Sequence, residues 1–447
     1  MHKKIFSSAG YLAGSSLITK IGAFIIIPIL TKVLTPKEYG DLMLGVSYAG
    51  IIMLFIYNGL HSALFRWYSM WKEEFDKKVY EKYLFFIVNS IAIFVVLLLV
   101  GVNSFYNLDS LLKMDFWLFI SILGASIALI PYSLKSTIWI VDNKAYLNLI
   151  FTLVKTILIV FSVYFLIKNY SYASTKPIIE LVVTFFISIH FFYEYFVNYP
   201  SLKSVTFQEI KPVLKESLVY GWGLQISQIA FWIITSSDRV MLANLTNNEF
   251  VAYYSILMIG ITVMFIIVAF NNSFSAYYNK MIGDKLSMKE INQYIFTYLL
   301  YGFLGILLYK ILLYFLSDYI ILLLATQEYL VVSKYMYLTS DILFFYFSYL
   351  LFSRYLHAHK MVKSVIVITL LSAIVNVGLN YFLIQEYNIL GALIASIIAY
   401  LFMALLSLNY MYQNIEFIYM KKLLFLFVTI VTINFLIDIF LYKGVIW

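Results

Sequence analysis

Shifted by 211 residues, the chain lies on itself. Leu34-Thr35-Pro36-Lys37-Glu38-Tyr39 falls on Leu245-Thr246-Asn247-Asn248-Glu249-Phe250, so Leu, Thr and Glu recur and an aromatic residue follows each Glu. Apolar spans coincide on both sides of this turn, and the match runs for about six spans. Many carriers are built from such a duplicated set of spans, with the substrate path between the halves.

The spans fix the class. With 63% hydrophobic and 12% charged residues, the chain cannot be a soluble globular protein, in which about a quarter of residues are charged. Runs such as Ile21 to Leu30, Ile91 to Val100, Ile256 to Phe270 and Leu423 to Ile433 sit in stretches long enough for the ~20 residues of a membrane-spanning helix. Short alternating strands between tight turns are missing from the pattern, which argues against a barrel. The expected fold is an all-α polytopic membrane protein. It has two parallel six-helix repeats around a central cavity and about one extra C-terminal span, 12–14 helices in all.

Spans are predicted at 9–33, 40–65, 82–104, 114–140, 145–167 and 177–199, then at 217–243, 249–276, 291–316, 331–356, 363–384 and 388–411, with a further one at 420–441. This divides the chain into an N-terminal lobe (1–204), a C-terminal lobe (205–414) and an additional span (415–447). The apolar stretch after Met1-His2-Lys3-Lys4 runs about 25 residues without a small-x-small cleavage site and reads as a retained first span. With the N-terminus inside, inner loops collect twenty cations and outer loops seven. The positive-inside rule therefore places the N-terminus in the cytoplasm. The net charge of +8 follows from that asymmetry and not from nucleic-acid binding.

Several function classes are excluded. There is no cysteine, hence no disulfide, thiol nucleophile or Cys-ligated zinc. No loop exceeds about twenty residues, so no soluble catalytic module can fold between spans. Walker-type, HExxH and GxSxG sequences are missing as well. The chain reads as a transporter and not an enzyme, and no cofactor or metal is expected.

Four cations remain inside spans: Lys20, Lys155, Arg239 and Lys310. A cation at mid-bilayer costs roughly 2.5–3.5 kcal/mol, so it should face a wet cavity or a partner. Lys20 belongs to a small, polar face with Ala9, Ala13, Ser16 and Ala23 in span one, and Lys155 to one with Asn148, Thr152 and Ser162 in span five. Such stripes line a cavity or a helix contact. Span seven repeats the device with Gln225, Gln228, Trp232, Thr235 and Arg239. Its chemistry suits a glycosylated or phosphorylated group, since Trp stacks on sugars and Arg forks onto phosphate. Arg239 also lies roughly 13 Å outward of its span centre, next to Asp238, so an interfacial anchor or a structural pair is an alternative. Thr369, Ser372, Asn376 and Asn380 form a polar face on span eleven that reads as helix-to-helix glue. His190 and Asp341, near mid-span, are candidates for ion coupling, and Glu180 is a weaker one, with a buried pair as the alternative for each. His357 and His359 stand two apart, the wrong helical spacing for a shared metal, and read as part of a basic loop at lipid headgroups.

Small residues Ser7-Ser8-Ala9-Gly10 and Gly14-Ser15-Ser16 open the first span, before Pro28 and Leu34-Thr35-Pro36-Lys37-Glu38-Tyr39-Gly40. Span seven carries Tyr220-Gly221 and ends in Ser237-Asp238-Arg239-Val240-Met241-Leu242. Over essentially its whole length the chain resembles the lipid-linked oligosaccharide flippases of bacterial O-antigen and capsule pathways, within the multidrug/oligosaccharidyl-lipid/polysaccharide exporter superfamily. The resemblance implies two six-helix lobes around a cationic cavity in the bacterial cytoplasmic (inner) membrane. It also implies alternating-access transfer of undecaprenyl-diphosphate-linked repeat units to the outer leaflet. Implied partners are the polyprenyl-diphosphate-linked glycan, membrane lipids, a polysaccharide polymerase and a chain-length regulator. Family members commonly have twelve or fourteen spans, so either the thirteenth is peripheral or the count of thirteen is off by one; the last span, outside the duplicated core, is expected to matter least to mechanism. The competing readings are an ion-coupled multidrug-type antiporter of the same fold and a membrane polysaccharide polymerase.

Overall fold

The computed structural model describes residues 2–57, 59–70, 73–167, 169–170, 172–200, 207–283, 288–414 and 417–445. The lobe boundary expected at 204/205, the segment start at 415 and the counted cations Lys72, Lys168, Lys203 and Lys285 lie outside them. By contact the chain divides into two compact units, Met1–Trp232 and Ile233–Trp447.

The first unit contains α1 (His2–Thr31), α2 (Pro36–Tyr57), α3 (Leu60–Met70), α4 (Glu74–Phe105), α5 (Leu108–Leu112), α6 (Phe116–Ile127), α7 (Ile130–Val141), α8 (Ala145–Leu166) and α9 (Thr175–Val197). It ends within α10 (Phe207–Leu245). Its core brings together Leu64, Tyr80, Phe85, Val88, Leu134 and Tyr195, and Phe85 stacks on Tyr195 with ring centres 4.1 Å apart.

The second unit continues from α10 through α11 (Asn248–Leu257), a 3-10 turn (Met258–Ile261), α12 (Met264–Gly283) and α13 (Met288–Leu324). A 3-10 segment (Gln327–Leu338) follows, then α14 (Thr339–Ala358), α15 (Val362–Asn414) and α16 (Phe417–Val445). Every side chain from Thr339 to Ser353 is buried, so α14 is the central helix of this unit. Elsewhere large apolar side chains face outward, among them Phe94, Phe161, Phe382 and Phe440, the last 77% exposed. In water such surface would drive aggregation; in a bilayer it is the solvated face.

Eleven described helical stretches are long and apolar enough to cross a membrane. Residues 362–413 form one of them, yet Asn388 breaks the helix with φ 49° and ψ −120°. A Cβ on Gly391 would stand 2.1 Å from the Leu383 carbonyl oxygen. In a straight helix those two residues would be about 12 Å apart, so α15 is two limbs joined by a tight turn. Span eight is interrupted by the 3-10 turn. Among the described residues each of the thirteen predicted spans is thus built of helix, with turns inside the second, fourth and eighth, in an all-α polytopic membrane protein.

The duplication is visible in local chemistry. Thr35 and Glu38 form a reciprocal cap on α2: Thr35 N donates to Glu38 Oε2 at 2.9 Å, and Glu38 N donates to Thr35 Oγ1 at 3.3 Å. At the equivalent turn the cap slips by one residue. Asn247 accepts from the backbone of Glu249 and Phe250, while Thr246 turns back to the Leu242 carbonyl. The break between α6 and α7 at Ala128–Leu129, just before Pro131, falls 211 residues before Thr339, where 3-10 geometry gives way to α14.

Candidate functional site

In the first unit α1 and α8 run side by side in the same direction. A Cβ on Gly14 would meet Leu149 at 3.0 Å, and one on Gly22 would meet Thr156 at 2.3 Å. Small residues on α1 admit α8 at close range. The same pairing puts Lys20 and Lys155 within about one helical turn of the same level. Ile18, Ile25, Ile29, Leu153, Val160 and Phe161 line an almost wholly apolar groove on one side of the pair, of about 510 Å³. At about 100° per residue, Lys20 and Lys155 stand on the opposite sides of their helices. Lys20 is exposed, as are Ala13, Ser16 and Ala23 on its face.

Lys155 is half-buried, its ammonium 5.8 Å from the centre of the Tyr132 ring. Glu180 is near enough to act on it electrostatically but is itself bridged to Lys176 at 2.8 Å. Asn148 and Thr152 are buried and joined through Tyr132. The Tyr132 hydroxyl donates to Asn148 Oδ1 and lies 3.1 Å from Thr152 Oγ1, and its ring stacks on Phe151 at 3.8 Å. Ser136 also donates to Asn148 Oδ1 at 3.0 Å, and Asn148 Nδ2 reaches Ser15 Oγ at 3.5 Å. Asn148 and Thr152 therefore hold the Tyr132 hydroxyl, and Lys155 stands over the Tyr132 ring.

The part of α10 in the first unit places Gln225 and Gln228 in a second cavity, of about 240 Å³, with Tyr57, His61, Ser62 and Ser133. Gln225 is buried and donates to the Leu54 carbonyl at 2.5 Å; Gln228 is exposed, 3.5 Å from Ser62 Oγ. His61 Nε2 lies 2.9 Å from Thr137 Oγ1, and the Tyr57 hydroxyl 2.6 Å from Ser133 Oγ. Trp232, higher on α10, packs its indole edge over Gly50. Among the described residues no charged side chain lines this cavity. It offers amides, hydroxyls and an imidazole, the donors and acceptors of a neutral hydroxylated ligand. His61 and Tyr57 escaped the sequence reading; the signal was Asn58-Gly59, a turn dipeptide inside an apolar span.

In the second unit Arg239 and Asp238 go separate ways. Arg239 donates through Nε to Ser255 Oγ at 3.1 Å and through Nη1 to the Thr235 carbonyl at 3.4 Å. Asp238 is buried and accepts from Tyr254 at 2.5 Å, Asn380 at 2.6 Å and Ser396 at 2.7 Å. Asn376 accepts from Ser237 at 3.3 Å and from Asn380 at 3.2 Å. Asn376 and Asn380 of span eleven are thus helix-to-helix glue that also helps hold a carboxylate through neutral hydrogen-bond donors, while Ser372 bonds back to the Ile368 carbonyl of its own helix at 2.9 Å.

Asp341 lies in a different buried cluster. It accepts from Lys310 at 2.8 Å and from Asn434 at 2.5 Å, and Asp438 of α16 also touches the Lys310 ammonium. His190 belongs to the first unit, is exposed on α9, and meets Phe191 edge-on at 5.9 Å. His190 and Asp341, the two ion-coupling candidates, belong to different units.

One further ion cluster was hidden in the loop count. Lys135 and Lys82, counted as loop cations, are both buried. Lys135 bridges Glu81 and Glu194, each at 3.0 Å. Tyr195 and Tyr199 donate to the two oxygens of Glu81 at 2.5 and 2.6 Å. Burial, then the Glu81 charge, hold the Tyr199 phenol above its ordinary range. Lys82 donates to the Pro200 carbonyl at 3.0 Å, and together these contacts form a structural knot tying α4, α7 and α9.

Comparison with known structures fits this architecture. A multidrug resistance MATE family transporter of the MOP superfamily, in its inward-facing conformation, superposes with a TM-score of 0.69 at 13% identity, covering 93% of this chain and 96% of that one. The lipid II flippase MurJ, in an inward closed conformation, gives 0.63 at 18% identity, covering 98% and 97%. A point mutant of the Vibrio cholerae MATE transporter VcmN gives 0.62 at 11%, covering 93% and 98%. At these identities the likeness is one of fold. A search of curated proteins finds no match. The family model described as polysaccharide biosynthesis protein matches residues 5–270, more than half of the sequence. The chain belongs to the polysaccharide biosynthesis protein family.

Proposed function

We propose that this protein is a flippase for undecaprenyl-diphosphate-linked oligosaccharide repeat units, moving them from the inner to the outer leaflet by alternating access. The observation that carries this reading is the placement of Lys20 and Lys155 at one level, opposite an apolar groove. A diphosphate crossing a bilayer needs fixed positive charge away from lipid, and two lysines supply it. The uncharged cavity of His61, Gln225 and Gln228 supplies hydrogen bonds for sugar hydroxyls. The lipid tail stays in the bilayer while the headgroup passes. The product serves O-antigen, capsule or a related surface polysaccharide. A polymerase and a chain-length regulator act on it afterwards, and the flippase sits in the bacterial cytoplasmic membrane with its N-terminus inside.

A second reading, an ion-coupled multidrug-type antiporter, is favoured by Asp238, a buried carboxylate ringed by neutral donors that would suit a cation. Deleting the gene in its host separates the two. Inner-leaflet accumulation of complete single repeat units with loss of surface polysaccharide supports the flippase. Normal polysaccharide with new sensitivity to cationic drugs supports the antiporter, and unpolymerised units on the outside point to a polymerase. For coupling, an imposed proton or sodium gradient should change the flipping rate, and His190→Ala and Asp341→Asn test the two proposed coupling residues.

A further inference from the structure

Arg354, counted from the sequence among the inner-loop cations, is half-buried on α14, two residues inside the end of the predicted span 331–356. Its Nε donates to Asn271 Oδ1 at 3.3 Å and its Nη1 to Ser275 Oγ at 2.8 Å. Both acceptors lie on α12, one helical turn apart. Among the described residues no carboxylate lies within ion-pair distance of Arg354, whereas Lys310 in the same unit has two. Among the same residues the Nη2 end makes no hydrogen bond, and it stays accessible. Tyr349 and Tyr346 bring phenols close enough to act on the guanidinium electrostatically, and His357 lies one turn further on.

The arrangement has a chemical meaning. A guanidinium within a span needs a counter-charge. Asn271 and Ser275 fix the plane of the group but carry no charge, so the balance is left to something that arrives. A fixed fork with one end open matches the paired oxygens of a phosphate. Arg239 is held in the same fashion, by Ser255 and a backbone carbonyl, but on span seven, which leaves the membrane on the opposite side from span ten by the predicted topology. Arg354 thus stands on the side that the charge count assigns to the cytoplasm.

We infer that Arg354, oriented by Asn271 and Ser275, is a binding site for the phosphate or diphosphate group of a lipid headgroup. It is a point of first capture carried by the second unit, whereas Lys20 and Lys155 belong to the first. Only the identity of that headgroup rests on the flippase reading.

The test uses the full-length protein in a neutral detergent, titrated with inorganic pyrophosphate at constant ionic strength while thermal unfolding is followed by tryptophan fluorescence. A saturable upward shift is expected. It should weaken about tenfold or more in Arg354→Gln, since a charge-assisted bond contributes roughly 1.5–3 kcal/mol. Arg354→Lys should keep part of it, and the exposed Lys334→Gln all of it. If Arg354→Gln fails to fold, Ser275→Ala leaves the charge in place and should still weaken pyrophosphate by several-fold. Equal pyrophosphate affinity in wild type, Arg354→Gln and Ser275→Ala, or a shift no larger than chloride gives, would overturn the site. The source is settled in nanodiscs: phosphatidylglycerol reproducing the effect against phosphatidylcholine points to bulk lipid, and an effect specific to a polyprenyl diphosphate points to the carrier. Binding is read without transport, so a failed flipping assay leaves this result standing.

Discussion

Gly59 and Gly221 meet backbone to backbone: a Cβ built on Gly59, at φ +73°, would stand 2.3 Å from the carbonyl carbon of Gly221. The break between α2 and α3 and the approach of α10 depend on this contact, and the cavity holding His61 and Gln225 lies beside it. Gly59→Ala is therefore expected to cost more than the ~1–2 kcal/mol of a left-handed residue alone, and to lower the unfolding temperature. Gly221→Ala should do the same. Gly223→Ala, inside α10 where a Cβ meets nothing within 4 Å, is the control: it should not lower the unfolding temperature, and by helix propensity should raise stability by up to about 1 kcal/mol.

Lys20→Met should leave stability within about 0.5 kcal/mol, because the side chain is exposed and its removal orphans no partner among the described residues. Flipping of a fluorescent diphosphate lipid in proteoliposomes should nonetheless fall roughly tenfold or more, and Lys155→Met should behave likewise. Lys→Arg at either position should retain most activity. Full transport by both Met variants would remove the two lysines from the substrate path.

Lys310→Met leaves Asp341 and Asp438 facing each other without their cation, and about 3–5 kcal/mol of destabilisation is expected. Adding Asp341→Asn to that variant should recover part of the loss. A double-mutant cycle on unfolding temperature or denaturant midpoint measures the coupling.

Tyr132→Phe removes the hydroxyl shared by Asn148 and Thr152 but keeps the ring beneath Lys155. Stability should drop by about 1–3 kcal/mol, the cost of leaving buried polar groups unmade. Flipping by the surviving folded protein should change less than in Lys155→Met. Equal losses of transport in the two variants would mean that Lys155 acts through packing.

The helices were legible because a bilayer imposes length and polarity on each span separately, and the Thr35–Glu38 turn announces its cap in four residues. The slip of the second cap to Asn247 was not, since either Thr246 or Asn247 satisfies the same local rule. Charge partners were illegible for a different reason. Glu81 and Lys135 are 54 positions apart in sequence, and only the packing of α4 against α7 makes them neighbours. Lys82 and Lys135 accordingly passed as loop cations. Lys20, Lys155, Gln225 and Gln228 stood out because a polar group in an apolar run is conspicuous. What each one touches was beyond reach of the pattern.

The last helix was expected to matter least, yet Asp438 and Asn434 on α16 close the cluster around Lys310 and Asp341. This bears on biogenesis. Until α16 has been synthesised and inserted, Lys310 and Asp341 lack two of the groups that complete their shell. The second unit cannot reach its final packing in the order in which its helices emerge from the ribosome. Its maturation waits on the helix that lies outside the duplication.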